Sequence, residues 1–264
     1  MASDDIIFTK KNRVATIKFN RPDSMNALGG TMREDIVDAI HDVQKDSNTR
    51  VLVITGSGKA FCAGGNIKDM ERMSLEISLP DRRDFVRNVM HRITTEIRNL
   101  EKPVIACVNG HAIGAGCNIA LACDMRIASE KAKFGETFIN VGLVSDYGGL
   151  YFLPRLVGTA KAIELYFTGD IIDAKEAEKI GMINKAVPPE ELEEYTYEVA
   201  GKIAKKAPIA LAMIKEVMYK GLATDWATGL DIEATAQSIC LKTEDHREGV
   251  RAMLEKREPV FKGQ

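Results

Sequence analysis

The chain carries no excess of charge of either sign. Lys and Arg number 36 against 38 Asp and Glu, a formal net charge of −2 over 264 residues. That balance leaves no electrostatic footprint for nucleic acid, which is bound through clustered cations. No apolar stretch approaches the ~18 residues that a membrane-spanning helix needs. The cysteines are Cys62, Cys107, Cys117, Cys123 and Cys240, an odd number with no CxxC and no His at ligand spacing. Neither a disulfide framework nor a zinc site is expected from them, and buried thiols in a reducing compartment are. The sequence also lacks a Gly/Ser/Pro-rich linker, a low-complexity tract and an internal repeat. Its first eight residues hold two acids and no long apolar run, so no signal peptide is expected and the reading is cytoplasmic.

What is present is an ordinary globular composition, 45% hydrophobic and 28% charged, with enough length for a large core. Residues 6–8 and 14–19 alternate around a polar segment and predict a β-hairpin. Apolar positions at Ile36, Ile40 and Val43 predict a helix over 32–43. Residues 51–55 and 104–108 are short β-branched or apolar runs that read as buried strands. Residues 84–100 predict one helix through Phe85, Val89, Ile93 and Ile97, and residues 125–128 another strand. The second half reads as helices over 149–156, 160–167, 174–180, 190–206, 209–220, 223–241 and 247–255. Strand–helix units in the first half imply parallel pairing with right-handed crossovers, an α/β core with a helical C-terminal part.

Two segments repeat one design: a buried strand, a glycine-rich turn, then a helix. They run from 51–55 to Ala63, Gly64, Gly65 and Asn66, and from 104–108 to Gly114, Ala115 and Gly116. Such turns permit close backbone approach and leave helix-terminal amides unpaired. If they meet in space, two N–H groups converge on one oxygen and form an oxyanion hole. The same glycines also suit tight packing of helix on sheet, and spacing alone leaves both open. A dinucleotide site is not supported, because no GxGxxG or Walker A pattern occurs.

These motifs resemble the crotonase superfamily, the enoyl-CoA hydratase/isomerase family. The matching pieces are Phe19, Arg21 and Pro22 with Asn26, Ala27 and Leu28; residues 56–68 (GSGKAFCAGGNIK); and residues 102–124 (KPVIACVNGHAIGAGCNIALACD). They continue through Phe134, Gly135, residues 142–149 (GLVSDYGG) and residues 153–158 (LPRLVG) to Arg247, Glu248 and Gly249. The resemblance spans nearly the whole chain. It implies a ββα spiral over 1–195 that binds an acyl-CoA thioester, and a helical region over 196–264 that completes the site and a trimer. A homotrimer or a hexamer is expected, with coenzyme A as part of the substrate and no separate cofactor or metal. By position, the amides of Gly65 and Ala115 would hold the thioester oxygen. Ala63, Asn66, Ile67 and Lys68 would line the coenzyme A, and Arg21 and Lys256 would reach its phosphates.

The reaction is less plainly written. Hydratases of this family hold water with two glutamates, and the matching positions here are Asn118 and Phe138. Glu136 lies two residues before the second of these and is given no role. Without a carboxylate pair there is no evident acid/base couple for adding water. What the chain has is Asp146, at a place where the family's isomerases carry an acid. One carboxylate near the acyl chain suffices to move a proton between carbons while the oxyanion is held. Phe138, as an apolar wall, would raise its affinity for protons. Asp146 could equally cap a helix beginning near residue 148. Isomerisation of an enoyl-CoA is therefore the leading expectation. The alternatives are a hydratase for a conjugated or cyclic acyl-CoA, using Asp146 or water held by Asn118, and a non-catalytic acyl-CoA-binding subunit. A nucleophilic Asp146 with His91 as base is weakened because Phe138 has no indole N–H to offer. Met70, Met73, Met90 and Phe138 suggest an apolar acyl pocket, and residues 71–82 are expected to be a mobile cover over it.

Overall fold

The computed structural model describes residues 4–66 and 78–264. The predicted hairpin is present: β1 (Ile6–Lys11) pairs antiparallel with β2 (Val14–Phe19), from Ile6 opposite Phe19 to Lys11 opposite Val14. Asn12 and Arg13 both take positive φ, the left-handed pair that a two-residue hairpin turn requires. From β2 the sheet continues in parallel through β3 (Val51–Gly56), β5 (Val104–Val108), β7 (Met125–Ser129) and β10 (Lys185–Val187), giving the order β1-β2-β3-β5-β7-β10.

A second sheet stands beside the first, in the order β4-β6-β8-β9. Its members are β4 (Ala60–Cys62), β6 (His111–Ile113), β8 (Lys133–Gly135) and β9 (Ile171–Asp173), each three residues long. Along the chain β3 leads to β4, β5 to β6 and β7 to β8. Each step thus lays one long strand in the first sheet and one short strand in the second, which is the advance of a ββα spiral. The short strands were not expected from the sequence, because three residues are too few for alternation to show.

Both faces of the long sheet are covered, as parallel strands require. Ala15, Ile17, Leu52, Ile54, Val104 and Ala106 join the main core, with Ile36 and Ile40 of α1 (Met32–Lys45). The alternate residues Val14, Val51, Val53, Ile105 and Cys107 form a second core with Leu192, Ala200 and Ala204. These last three lie on the helix Leu192–Ala204, which runs through position 195.

The helix expected over 84–100 is broken. Ser78 caps α2 (Leu79–Phe85) by accepting from the Asp81 amide, a π turn follows at Val86–Met90, and α3 runs Arg92–Asn99. The wider π turn rotates the helical face, so Ile93 and Ile97 are buried whereas Phe85 and Val89 are half-buried. Of the expected cover, residues 71–77 lie outside the described residues, as do Ile67, Lys68, Met70 and Met73. Residues 79–82 belong to α2.

The remaining helices are α4 (Ala115–Ala122), α5 (Gly149–Val157), α6 (Thr159–Thr168), α7 (Ala174–Lys179), α8 (Leu192–Ala204), α9 (Pro208–Gly221), α10 (Trp226–Cys240) and α11 (Glu244–Glu255). Two start where a polar cap dictates rather than where periodicity suggested. Asp225 accepts from the amides of Ala227 and Thr228, and Thr243 accepts from His246. No helix among the described residues is long and apolar enough to cross a membrane.

Candidate active site

The two glycine-rich turns meet. A Cβ placed on Gly64 would lie 2.9 Å from the Ile113 carbonyl oxygen and 3.5 Å from the Ala115 nitrogen, so the Gly64–Gly65 turn rests on the start of α4. Gly64 has φ +93 and Gly114 φ +54, backbone that side chains resist. Gly116 has no Cβ because one there would fall on the Cys62 carbonyl at the end of β4. The turn is anchored from a third side. Leu28 bridges Gly65 and donates its amide to Gly64 O at 2.8 Å. Fully buried Asn26 bonds Ser57 O, Ala60 O and the Arg21 amide. The amides of Gly65 and Ala115 have no acceptor among the described residues. Two adjacent unpaired N–H groups of this kind can stabilise negative charge that develops on a carbonyl oxygen.

Beside them stands an apolar wall. Phe138, on a 3-10 turn spanning Thr137–Val141, is 8% exposed and lies so close over Gly114 that a Cβ there would sit 3.5 Å from its ring. Asn118 follows Ala115 by three residues, one turn along α4. It is fully buried and donates to the Asp146 carbonyl oxygen at 2.8 Å and to Ser145 Oγ at 3.0 Å. The loop that carries Asp146 is thereby fixed to the helix whose first amide is that of Ala115.

Asp146 is shaped by its surroundings rather than by a capping role. The N-cap of α5 is Gly148, with no side-chain cap bond, so the alternative of a helix cap is not what the structure holds. Tyr147 and Gly148 are successively left-handed, at φ +48 and +82. The Tyr147 ring is completely buried, and its hydroxyl accepts from Arg33 Nε at 3.0 Å. This pair clamps the turn next to the carboxyl group. Asp146 Oδ1 is buried and has no partner. Burial pushes its carboxyl up to about 6, against the pull of its own backbone amide and of the Arg33 guanidinium.

Other residues singled out in the sequence are placed differently. Ala63 and Asn66 flank the Gly64–Gly65 turn, and Ala63 donates to Met25 O at 3.0 Å. Arg21 is one loop away, paired with Asp5 at 3.5 Å and donating to Ala27 O. Lys256 is exposed at the C-terminus of α11, with φ +53. His91 lines a cavity of about 710 Å³ with Arg98, Tyr151, Phe152, Lys215 and Tyr219. Gly148, two residues after Asp146, also lines that cavity.

Sequence reasoning passed over Glu136, Ser145, Arg33 and Tyr147. Glu136 is 2% exposed and takes a hydrogen bond from Ser145 Oγ at 3.1 Å. Burial pushes its carboxyl up to about 8, against the Cys117 thiol and Ser145 hydroxyl beside it. The signal in the sequence was a glutamate two residues before Phe138, one of the positions where the family's hydratases keep carboxylates.

The turn after β4 and the start of α4 thus bring the Gly65 and Ala115 amides to neighbouring places, with the Asp146 loop fixed to α4 through Asn118. Residues 9–264 match the family described as enoyl-CoA hydratase/isomerase. A crotonyl-CoA hydratase of Syntrophomonas wolfei is 41% identical over 262 residues, 99% of each chain. A trans-2-decenoyl-[acyl-carrier-protein] isomerase of Streptococcus mutans is 35% identical over 261 residues, 98% of each chain. A crystal structure of an enoyl-CoA hydratase from Bacillus anthracis superposes with a TM-score of 0.93 at 36% identity, covering 98% of this chain and 100% of that chain. The chain belongs to the enoyl-CoA hydratase/isomerase family and has the crotonase fold. It is an acyl-CoA enzyme of that family.

Proposed function

We propose that this enzyme moves a double bond along the acyl chain of an enoyl-CoA, with Asp146 as the acid/base and the amides of Gly65 and Ala115 as the oxyanion donors. The observation that carries this reading is the half-buried Asp146 carboxyl, whose Oδ1 is buried without a hydrogen-bond partner and whose loop is tied through Asn118 to the helix that begins at Ala115. With the thioester oxygen held by the two amides, the ionised Asp146 takes a proton from the acyl chain and a dienolate forms. The same carboxyl returns the proton two carbons away, so nothing is gained or lost overall. Amides about 3 Å from the oxygen and a carboxyl within about 4 Å of the acyl carbons would meet the geometric need.

Asn118 and Phe138 support this reading from the other side. One spends its amide on the Asp146 loop and the other is an apolar ring, so neither offers a carboxylate to activate water. The Ala115 methyl keeps the N–H while narrowing the space beside it. Ala63, Asn66, Ile67 and Lys68 are proposed to line the coenzyme A, and Arg21 and Lys256 to meet its phosphates, with no cofactor beyond the substrate's own. A cytoplasmic trimer or hexamer belongs to the same reading. The Syntrophomonas relative is a hydratase, and water addition is the rival reaction.

The deciding experiment gives the enzyme 3-enoyl-CoA and 2-enoyl-CoA and follows the products. Bond migration that Asp146→Asn abolishes is the expected result. Water addition as the main fast reaction would reject the assignment.

A further inference from the structure

We infer that Glu136 is a positioning residue of this site: it anchors Ser145 and, through it, the turn that presents Asp146. The inference rests on the role proposed above for Asp146. Its basis is a chain of contacts buried behind the carboxyl. Asn118 Nδ2 donates to Ser145 Oγ at 3.0 Å, Ser145 donates to Glu136 Oε2 at 3.1 Å, and Asn118 also holds the Asp146 carbonyl. Gly149 closes the cluster, since a Cβ there would overlap both Asn118 Oδ1 and Ser145 Oγ. Asn118 and Ser145 are thus packed directly against the backbone of Gly149.

The company that Glu136 keeps determines its protonation. From α4 it is faced by the Cys117 thiol and the Asn118 amide, from the following loop by Ser145 and the Asp146 carboxyl, and from α6 by the Tyr166 hydroxyl. None of these is a cation. Arg126 on β7 acts on Cys117, but its donors go to the carbonyls of Leu121, Cys123 and Met182. Arg33 acts on Asp146 from α1 and is engaged with Tyr147 and Leu28 O. A buried carboxylate with no cation and a second carboxyl nearby is strongly disfavoured, so the group stays neutral. Its Oε1 is buried without a partner, as are Asp146 Oδ1 and the Tyr166 hydroxyl. Ionisation near pH 8 would set a charge against the Asp146 carboxylate and pull Ser145 toward itself. Activity should then fall on the alkaline side because the turn shifts, not because substrate binding fails.

The test compares Glu136→Ala and Glu136→Gln with wild type, as kcat and KM from pH 5 to pH 9.5. Loss of the anchor in Glu136→Ala should lower kcat about 10- to 100-fold with KM little changed, the scale expected of a slightly misplaced reacting group. Glu136→Gln, an uncharged isostere, should restore most of that loss and remove the alkaline decline. A Gln variant that keeps the wild-type alkaline limb, or is as slow as the Ala variant, would overturn the inference. A second measurement needs neither variant nor turnover: the δ-carbons of 13C-labelled glutamates are titrated in the wild-type enzyme. One resonance with a midpoint near 8 is expected, and midpoints all in the ordinary carboxyl range would overturn the inference. Because that titration reads glutamates and not Asp146, its failure is distinct from a failure of the Asp146 assignment, which would appear as Asp146→Asn retaining activity.

Discussion

Asp146 and Glu136 are both carboxyl groups taken out of water, yet they are set about two pH units apart, at about 6 and about 8. Arg33 helps to keep the first ionisable near neutrality, while the second has no cation to offset its burial. In the role proposed for it, Asp146 acts as a base only when ionised, so kcat/KM should rise with pH through about 6. Asp146→Asn should lower kcat by about 10²–10⁴-fold, the range for loss of a positioned acid/base, with binding of the CoA ester retained by calorimetry. Glu136 also has a cost in stability, whose sign follows from the proton count. Between the ordinary carboxyl value of 4.5 and about 8, the folded chain keeps a proton that the unfolded chain has released. Raising the pH across that window therefore destabilises the fold. The Tm of Glu136→Gln should gain on wild type as pH rises from 5 to 8, by an amount equivalent to a few kcal/mol at most, and thermal melts at several pH values would read it.

At the scale of elements, the site depends on how closely β4 and α4 approach. Gly116 is what permits it, because any side chain there would fall on the Cys62 carbonyl. Gly116→Ala should cost about 1–3 kcal/mol or more in urea unfolding, as overpacking against backbone does. It should also depress kcat, since α4 begins with the Ala115 amide and β4 leads into the turn that holds the Gly65 amide. The docking of α9 follows another rule. Lys215 Nζ reaches Asp124 at 2.9 Å and the carbonyls of Ile97 and Lys102, while Tyr219 donates to the other Asp124 oxygen at 2.7 Å. The Lys215 side chain is only 8% exposed, and burial pushes its ammonium down, with Asp124 opposing. Asp124→Ala would strand that charge, and a loss of about 3–5 kcal/mol in chemical denaturation is expected.

The whole molecule presents apolar side chains that a lone subunit leaves in water. Phe167 on α6, Trp226 on α10, and Met253 and Leu254 on α11 are each 76–81% exposed. In the trimer or hexamer proposed above, like subunits would cover some of these side chains. Light scattering should return about three or six times the subunit mass of 29.1 kDa, and a monodisperse single subunit would count against the trimeric reading.

The order of strands and helices, the parallel sheet and the two glycine turns were legible in the sequence, because they rest on local pattern: β-branched runs, helical periodicity and residues that permit positive φ. The places of Asp146, Gly65, Ala115 and Phe138 relative to those turns could be read from motifs, and their roles belong to the proposal above. The short strands β4, β6, β8 and β9 were not, since each is held only by its neighbours across the sheet. Nor was the break in the helix around Val86–Met90, where packing overrides periodicity. The role of Glu136 was hidden for a related reason. A carboxyl is neutral or charged according to what surrounds it, and only the folding of α4, α6 and the Asp146 loop onto one point places a thiol, two hydroxyls and a second acid around this one.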